Sequence, residues 1–365
     1  MTESKRLKVL LAALKILALG AVIGVAYLLI APTGRYLLRA GWEEGRILAK
    51  RRPIAAVAGD SATPPSLRHK LGLVLDARIF ARDSLDLKTG ESFTTYSAID
   101  RDTLVLVLSG AYRDRLQAYT WWFPIVGRVP YKGYFDFAEA RRQERALAER
   151  GFDARLGAAS AFSTLGWFND PILPTTLGRD TLDLVNTVIH ELTHNTFYAS
   201  GGAVFNESFA NFVGARGSER FYRARGATAA ADEILARWRD EKVLGRFWAT
   251  LYARVDSTFA AHPGDEPQHI AERIAARDSI YADARQQLVQ EIGPQLRTIS
   301  VRDVERVRLD NAVLMSRRVY LTDLDAFDDV LTRNHGDLRR TVKDIIVAAK
   351  SDGEHPFEAV KRLSR

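Results

Sequence analysis

The chain predicts an α+β fold: a small sheet ahead of one central helix, a helical C-terminal half, and a single N-terminal transmembrane helix. Three observations predict it. Short apolar or aromatic runs at 103–108, 129–135 and 161–168 all lie before residue 180 and have the length of strands. From Ser218 onward the apolar residues recur at helical spacing. Residues 9–31 are apolar apart from Lys15.

That apolar run is long enough to cross a bilayer, and Lys15 sits close enough to its start for the ammonium to snorkel to the interface. Lys5, Arg6 and Lys8 precede it, and Pro32-Thr33-Gly34 breaks it. Two readings stay open. Gly24-Val25-Ala26 is a possible signal-peptidase site, whereas the run continuing past it favours an uncleaved anchor over residues 1–34. Arg35, Arg39, Arg46, Lys50, Arg51 and Arg52 follow the span, so flanking charge alone does not favour export. Residues 35–52 read as a helix ended by Arg52-Pro53, and 66–80 as another. The 103–108 run, bounded by Asp102 and Gly110, reads as a buried strand, 129–135 as a strand or aromatic clamp, and 161–168 as a further strand. Between them, 137–150 is a charged amphipathic helix ending at Gly151. Later helices are expected at 228–261, 267–292, 301–319 and 336–350. No linker separates a second domain, so 35–365 reads as one domain, with a core at about 95–215 and a helical remainder at about 216–365.

With 365 residues, 47% of them hydrophobic, the chain can bury a sizeable core. Its net charge of +7 is spread among interspersed acids and bases, with no zinc finger or aromatic-rich RNA motif, which argues against a nucleic-acid partner. The absence of cysteine excludes disulfides and thiol catalysis.

The chemistry concentrates at His190-Glu191-Leu192-Thr193-His194. Asp180, with Asp183 behind it, has the character of a helix start, and Leu182, Val185, Ile189 and Leu192 form one apolar stripe, with Gly201-Gly202 as the expected stop. On such a helix His190 and His194 lie one turn apart on one face and can share an ion, while Glu191 is turned away by about 100° and suits proton transfer from a water beside it. A catalytic zinc takes three protein ligands. Twelve residues separate His194 from Glu207, the natural third ligand, at the start of a second short helix. Asn211, one turn on, is placed to bond the far nitrogen of a ligand histidine. These residues predict one Zn2+ per chain and a peptide substrate.

His190-Glu191-Leu192-Thr193-His194, twelve residues and then Glu207, within Phe205-Asn206-Glu207-Ser208-Phe209-Ala210-Asn211, resembles the gluzincin class of metallopeptidases. Together with the blocks 122–135, 162–171 and Asn311-Ala312, it resembles the bacterial family labelled putative aminopeptidase over most of the chain from about residue 35. The resemblance implies a gluzincin-like core, removal of N-terminal residues from peptides, and an exported domain, here held at the inner membrane on the periplasmic side. Relatives with a lipoprotein cysteine differ from this chain, which has none, and its spacing to Glu207 is shorter than in better-known gluzincin aminopeptidases.

The remaining roles stay open by motif. An oxyanion donor is expected among Tyr198, Tyr222, Tyr320, His262 and His269, and Tyr320 is preferred. Gly166, Trp167, Asn169 and Asp170 form a candidate substrate-binding edge. Asp170, Asp136 and Glu139 are the anions available to a substrate ammonium, and the aromatic block Trp121, Trp122, Phe123, Tyr131, Tyr134 and Phe135 is a possible cleft wall. Two other functions remain: a zinc endopeptidase, and a catalytically silent membrane-anchored binding protein.

Overall fold

The computed structural model describes residues 3–99, 105–123, 127–158, 171–178 and 180–364. The expected strand at 161–168 lies outside them, as do residues 103 and 104 of the first expected strand.

Helix α1 (Glu3–Ile30) contains the window Leu11–Ile30, of mean hydropathy 2.3, none of which is buried against the rest of the chain. At 1.5 Å per residue those 20 residues match a hydrocarbon core about 30 Å thick. Ala31 is extended, and Pro32, in the first turn of α2 (Pro32–Ala49), starts a new helix. The chain then pairs β1 (Arg51–Pro53) with β2 (Thr95–Ser97), enclosing α3 (Ile54–Gly59) and α4 (Pro65–Leu85). Leu71, Val74, Ala77, Ala81 and Leu85 give α4 its buried stripe.

A three-stranded antiparallel sheet follows, in the order β6-β3-β7: β6 (Tyr131–Tyr134), β3 (Leu106–Tyr112) and β7 (Phe152–Ala158). The hairpin β4 (Trp121–Phe123)/β5 (Gly127–Val129) leads into β6. Helix α5 (Phe137–Glu149) covers one face, with Asp136 accepting from the Glu139 backbone N–H at 3.0 Å as its cap. Among the described residues strand β3 starts at Leu106 and continues past the apolar run to Tyr112, buried at Leu108, Gly110 and Ala111 and part-exposed elsewhere. The reason is its antiparallel setting: Leu108 and Ala154 face Ala140 and Leu147 of α5, while Val105 joins a separate cluster with Ile47 of α2.

From α6 (Pro174–Leu177) and α7 (Thr181–Thr196) onward the chain is helical: α8 (Ala203–Ala224), α9 (Thr228–Ala261) and α10 (Pro267–Gln287), which runs into a π turn at Leu288–Ile292. Then come α11 (Val301–Glu305), α12 (Asn311–Leu321), α13 (Leu324–Arg333), α14 (Leu338–Ser351) and α15 (Pro356–Ser364). The helix expected at 301–319 is therefore two helices, because Asp310 caps the second by accepting from the Val313 N–H at 2.9 Å. One large core runs through α4, α7, α8, α9 and α13, centred on Phe205, Phe209, Phe212 and Phe327. Helix α12 bridges this core to the sheet. Its first residue, Asn311, is fully buried; its N–H donates to Asp153 on β7, its carboxamide to the Tyr112 carbonyl, and its Oδ1 accepts from Tyr281 at 2.6 Å. That clamp sets where the far end of α12 comes to rest.

Candidate metal centre

Helix α7 begins where Asp180 accepts from the Leu182 N–H at 2.8 Å. Leu184, Val185, Val188, Ile189 and Leu192 are buried, which fixes the rotation of the helix and turns His190 and His194 to a face they share. The helix ends at Thr196, not at the glycine pair. Thr196 Oγ1 accepts from the Lys88 N–H at 2.9 Å, and Phe197 leaves in an extended conformation to bury its ring. Gly202 instead stands at the N-terminal edge of α8.

The connection between the two helices is held by Asn206, whose carboxamide accepts from the Ala199 N–H and donates to the Ala199 carbonyl, both at 2.8 Å. On α8 the phenylalanines 205, 209 and 212 occupy the core face, so Glu207, Asn211 and Gly214 occupy the stripe turned to α7. Gly214 is where the helices touch. A Cβ there would stand 3.1 Å from the Asn186 carbonyl and 3.3 Å from His190 Cβ.

This crossing brings His190, His194 and Glu207 together, with one ligand atom from each within 4.8 Å of the others. His190 Nε2 lies 3.2 Å from Glu207 Oε2 and 3.2 Å from His194 Nε2, and His194 Nε2 lies 3.6 Å from Glu207 Oε1. All three are half-buried. Burial raises the Glu207 carboxyl, but hydrogen bonds from His190 and His194 outweigh it and hold the pKa at about 2. Burial lowers the His194 imidazole, and the bond to Glu207 with the charges of Glu207 and Glu191 outweighs that, so its pKa is raised.

Around this triad the sequence expectations divide. Glu191 is half-buried and close enough to act electrostatically on both His194 and Tyr320. Tyr320, near the end of α12, leaves 46% of its surface exposed, but its hydroxyl end is covered enough for burial, and then the charges of Glu207 and Glu191, to push it up to about 12. Tyr198 does not continue the His190–His194 face. It lies beyond the helix end, 63% exposed, with its ring 6.2 Å from that of His194. Tyr222 donates to the Thr181 carbonyl at the opposite end of α7, His262 closes α9 against the Thr258 carbonyl, and His269 pairs with Glu266. None of those three is held at the triad by these bonds.

Asn211 does not serve a ring nitrogen. Its amide donates to Glu241 at 2.8 Å and toward the Tyr320 carbonyl at 3.4 Å, and the buried Nδ1 of His194 has no hydrogen-bond partner among the described residues. Gly166, Trp167, Asn169 and Asp170 lie outside the described residues. Asp136 is the cap of α5, and Glu139 is engaged by Arg142 and Gln143, so neither is a free anion for an amine. Of the aromatic block, Phe123, Tyr134 and Phe135 are core, while Trp122 and Tyr131 are exposed.

Three contributors escaped the sequence reading. Glu241 on α9 supports Asn211, Arg155 on β7 reaches Ser316 Oγ at 3.4 Å one turn before Tyr320, and Gly214 permits the helix crossing. Only Gly214 carried a local signal, a small residue seven positions after Glu207 on the same stripe. Glu241 and Arg155 arrive from distant segments.

No match was found among curated proteins or solved structures. Residues 35–356 do match a family as a whole, taking in the sheet, the His190–His194–Glu207 cluster and nearly all of the helical half: the chain belongs to the family described as putative aminopeptidase.

Proposed function

We propose that the chain is a zinc-dependent peptidase of the gluzincin type that removes N-terminal residues from peptides, with His190, His194 and Glu207 as ligands of one zinc. The observation that carries this reading is the spacing of the three side chains. Atoms bound about 2.0–2.1 Å from a tetrahedral zinc stand roughly 3.3 Å apart; His190 Nε2 lies 3.2 Å from His194 Nε2 and 3.2 Å from Glu207 Oε2, and the second carboxylate oxygen, Oε1, lies 3.6 Å from His194 Nε2. Two imidazoles and a carboxylate held ionised are also a donor set of the catalytic kind, which leaves one position open. The family's name supports a peptide substrate.

Zinc bound there would polarise the scissile carbonyl and make water acidic enough to attack at neutral pH. The chain's own groups do the rest. Glu191, beside the ligands and not among them, takes the proton of the attacking water and passes it to the leaving amine. The Tyr320 hydroxyl, protonated throughout the physiological range, donates to the oxyanion. Residues 1–34 are proposed as an inner-membrane anchor, with residues 35–365 as the peptidase domain on the periplasmic side.

Glu191→Gln tests the assignment. The variant is expected to keep its zinc and its fold while losing turnover of an unblocked peptide at least ~100-fold. Equal turnover in the variant would remove Glu191 from the chemistry. For the wild type, an acetylated N-terminus is expected to abolish hydrolysis; unchanged cleavage of the blocked peptide would make the protein an endopeptidase. No turnover of any peptide by the zinc-loaded wild type would favour a silent binding protein.

A further inference from the structure

Helix α2 has two faces of different character. Toward the protein it presents Tyr36, Glu43 and Ile47, and the Tyr36 ring packs 5.5 Å from Phe123 and 6.4 Å from Tyr134, with Lys132 above it. At 100° per residue, Arg35, Leu38, Arg39, Trp42 and Arg46 fall together on an adjacent stripe, about a quarter turn round the helix from Tyr36, Glu43 and Ile47. There Leu38 is 42% and Trp42 73% exposed, Arg35 and Arg39 are exposed, and Arg46 is half-exposed in an ion pair with Glu43 at 2.7 Å. Arg39 also stands near enough to Asp136 to lower that carboxyl.

Nothing within the described chain covers Leu38 and Trp42, and the position of the helix says what would. Only Ala31 separates α2 from the end of the 20-residue apolar window in α1. Gly34 lies directly against the Tyr27 carbonyl with no room for a Cβ, so α2 turns off the end of α1 without a spacer. A stripe that combines a tryptophan, a leucine and three arginines at the mouth of an apolar span matches the composition of a helix lying in the headgroup layer. The indole and the leucine enter the acyl boundary, and each guanidinium near an anionic surface contributes attraction.

We propose that the outer face of α2, built from Arg35, Leu38, Arg39, Trp42 and Arg46, lies in the headgroup layer of an anionic bilayer and seats the domain on the membrane surface. This rests on the reading of α1 as a span. Strand β6 rests on the inner face of the same helix, with the Tyr134 ring 6.4 Å from that of Tyr36, so the seat is in direct contact with the sheet.

The chain has no cysteine, so single-cysteine variants of the full chain report one position each. Leu17→Cys in α1, Leu38→Cys in α2 and Val347→Cys, an exposed position of α14, are labelled with a nitroxide. They are reconstituted in nanodiscs of phosphatidylcholine with phosphatidylglycerol. The ratio of oxygen to nickel-chelate collisions is expected to be highest at 17, intermediate at 38 and lowest at 347, with 38 at least severalfold above 347. In the Leu38→Cys background, Arg35→Gln with Arg39→Gln, or discs of phosphatidylcholine alone, should lower the value at 38. A label at 38 as open to nickel as one at 347, with 17 still in the acyl region, overturns the seat and leaves the anchor standing; nickel access at 17 overturns both. Spin–spin broadening at 38 without oxygen access would assign the face to a second copy of the chain and overturn the lipid. Insensitivity at 38 to both charge and lipid overturns the requirement for an anionic surface.

Discussion

Tyr320 and Glu241 both lie within reach of the Asn211 amide, and each carries a prediction. Burial and the charges of Glu207 and Glu191 raise the Tyr320 hydroxyl to about 12, which suits the donor role proposed for it and not proton transfer. Tyr320→Phe is expected to lower kcat by roughly 10²–10³-fold, with zinc content unchanged and KM little altered, measured by steady-state peptide hydrolysis. A variant with wild-type kcat would pass the oxyanion role to another group. Glu241 keeps some exposed surface as a residue, but its carboxyl lies deep. Burial raises that carboxyl to about 7, against the partial relief of the Asn211 amide bond. Its folded pKa lies above the unfolded value near 4.5, so the native state holds the extra proton between those values. Stability from this group is therefore full below about pH 4.5 and falls as pH rises through about 7, by at most about 3 kcal/mol. Glu241→Gln is expected to flatten the decline in melting temperature between pH 5 and 8; an unchanged profile would remove Glu241 as its source.

At the scale of elements, the centre depends on how closely α7 and α8 cross. Gly214 leaves space for the Asn186 carbonyl and His190 Cβ, and Gly217 leaves space for Ile189 and Leu85. Gly214→Val is expected to destabilise the fold by about 1–3 kcal/mol through overpacking and to weaken zinc binding at least tenfold by moving Glu207 from the histidines. Thermal melting and zinc titration check the two parts, and retention of wild-type affinity would show that the crossing tolerates more separation. The helices themselves were largely legible. Asp180 marked the start of α7, the 3-4-3 apolar spacing marked its buried side, and the charged 137–150 run became α5. The helix end was misread because Phe197 turns extended to bury its ring and Thr196 is tied to the Lys88 N–H more than a hundred residues away, tertiary contacts with no local sign. Strand β7 escaped because Phe152-Asp153-Ala154-Arg155-Leu156 interrupts its apolar pattern with charges. Those charges have partners: Asp153 is matched by Arg277 and the Asn311 N–H, and Arg155 reaches Ser316.

Across the whole molecule, the meeting of His190, His194 and Glu207 was readable because the histidines sit one turn apart and the glutamate follows after a short loop, so sequence distance nearly equals spatial distance. The residues around them were not, because α9, α12 and β7 converge on the triad from positions up to about 165 residues apart in the chain. What joins these segments is that they surround three close, half-buried side chains, His190, His194 and Glu207. The most direct measurement is therefore a zinc titration of the metal-stripped full chain, followed by the initial rate of hydrolysis of an unblocked peptide. The rate should rise from near zero and level off at one equivalent of zinc per chain, and it should stay near zero in Glu207→Ala over the same range. Full hydrolysis by the stripped protein, with no response to added zinc, would contradict the account.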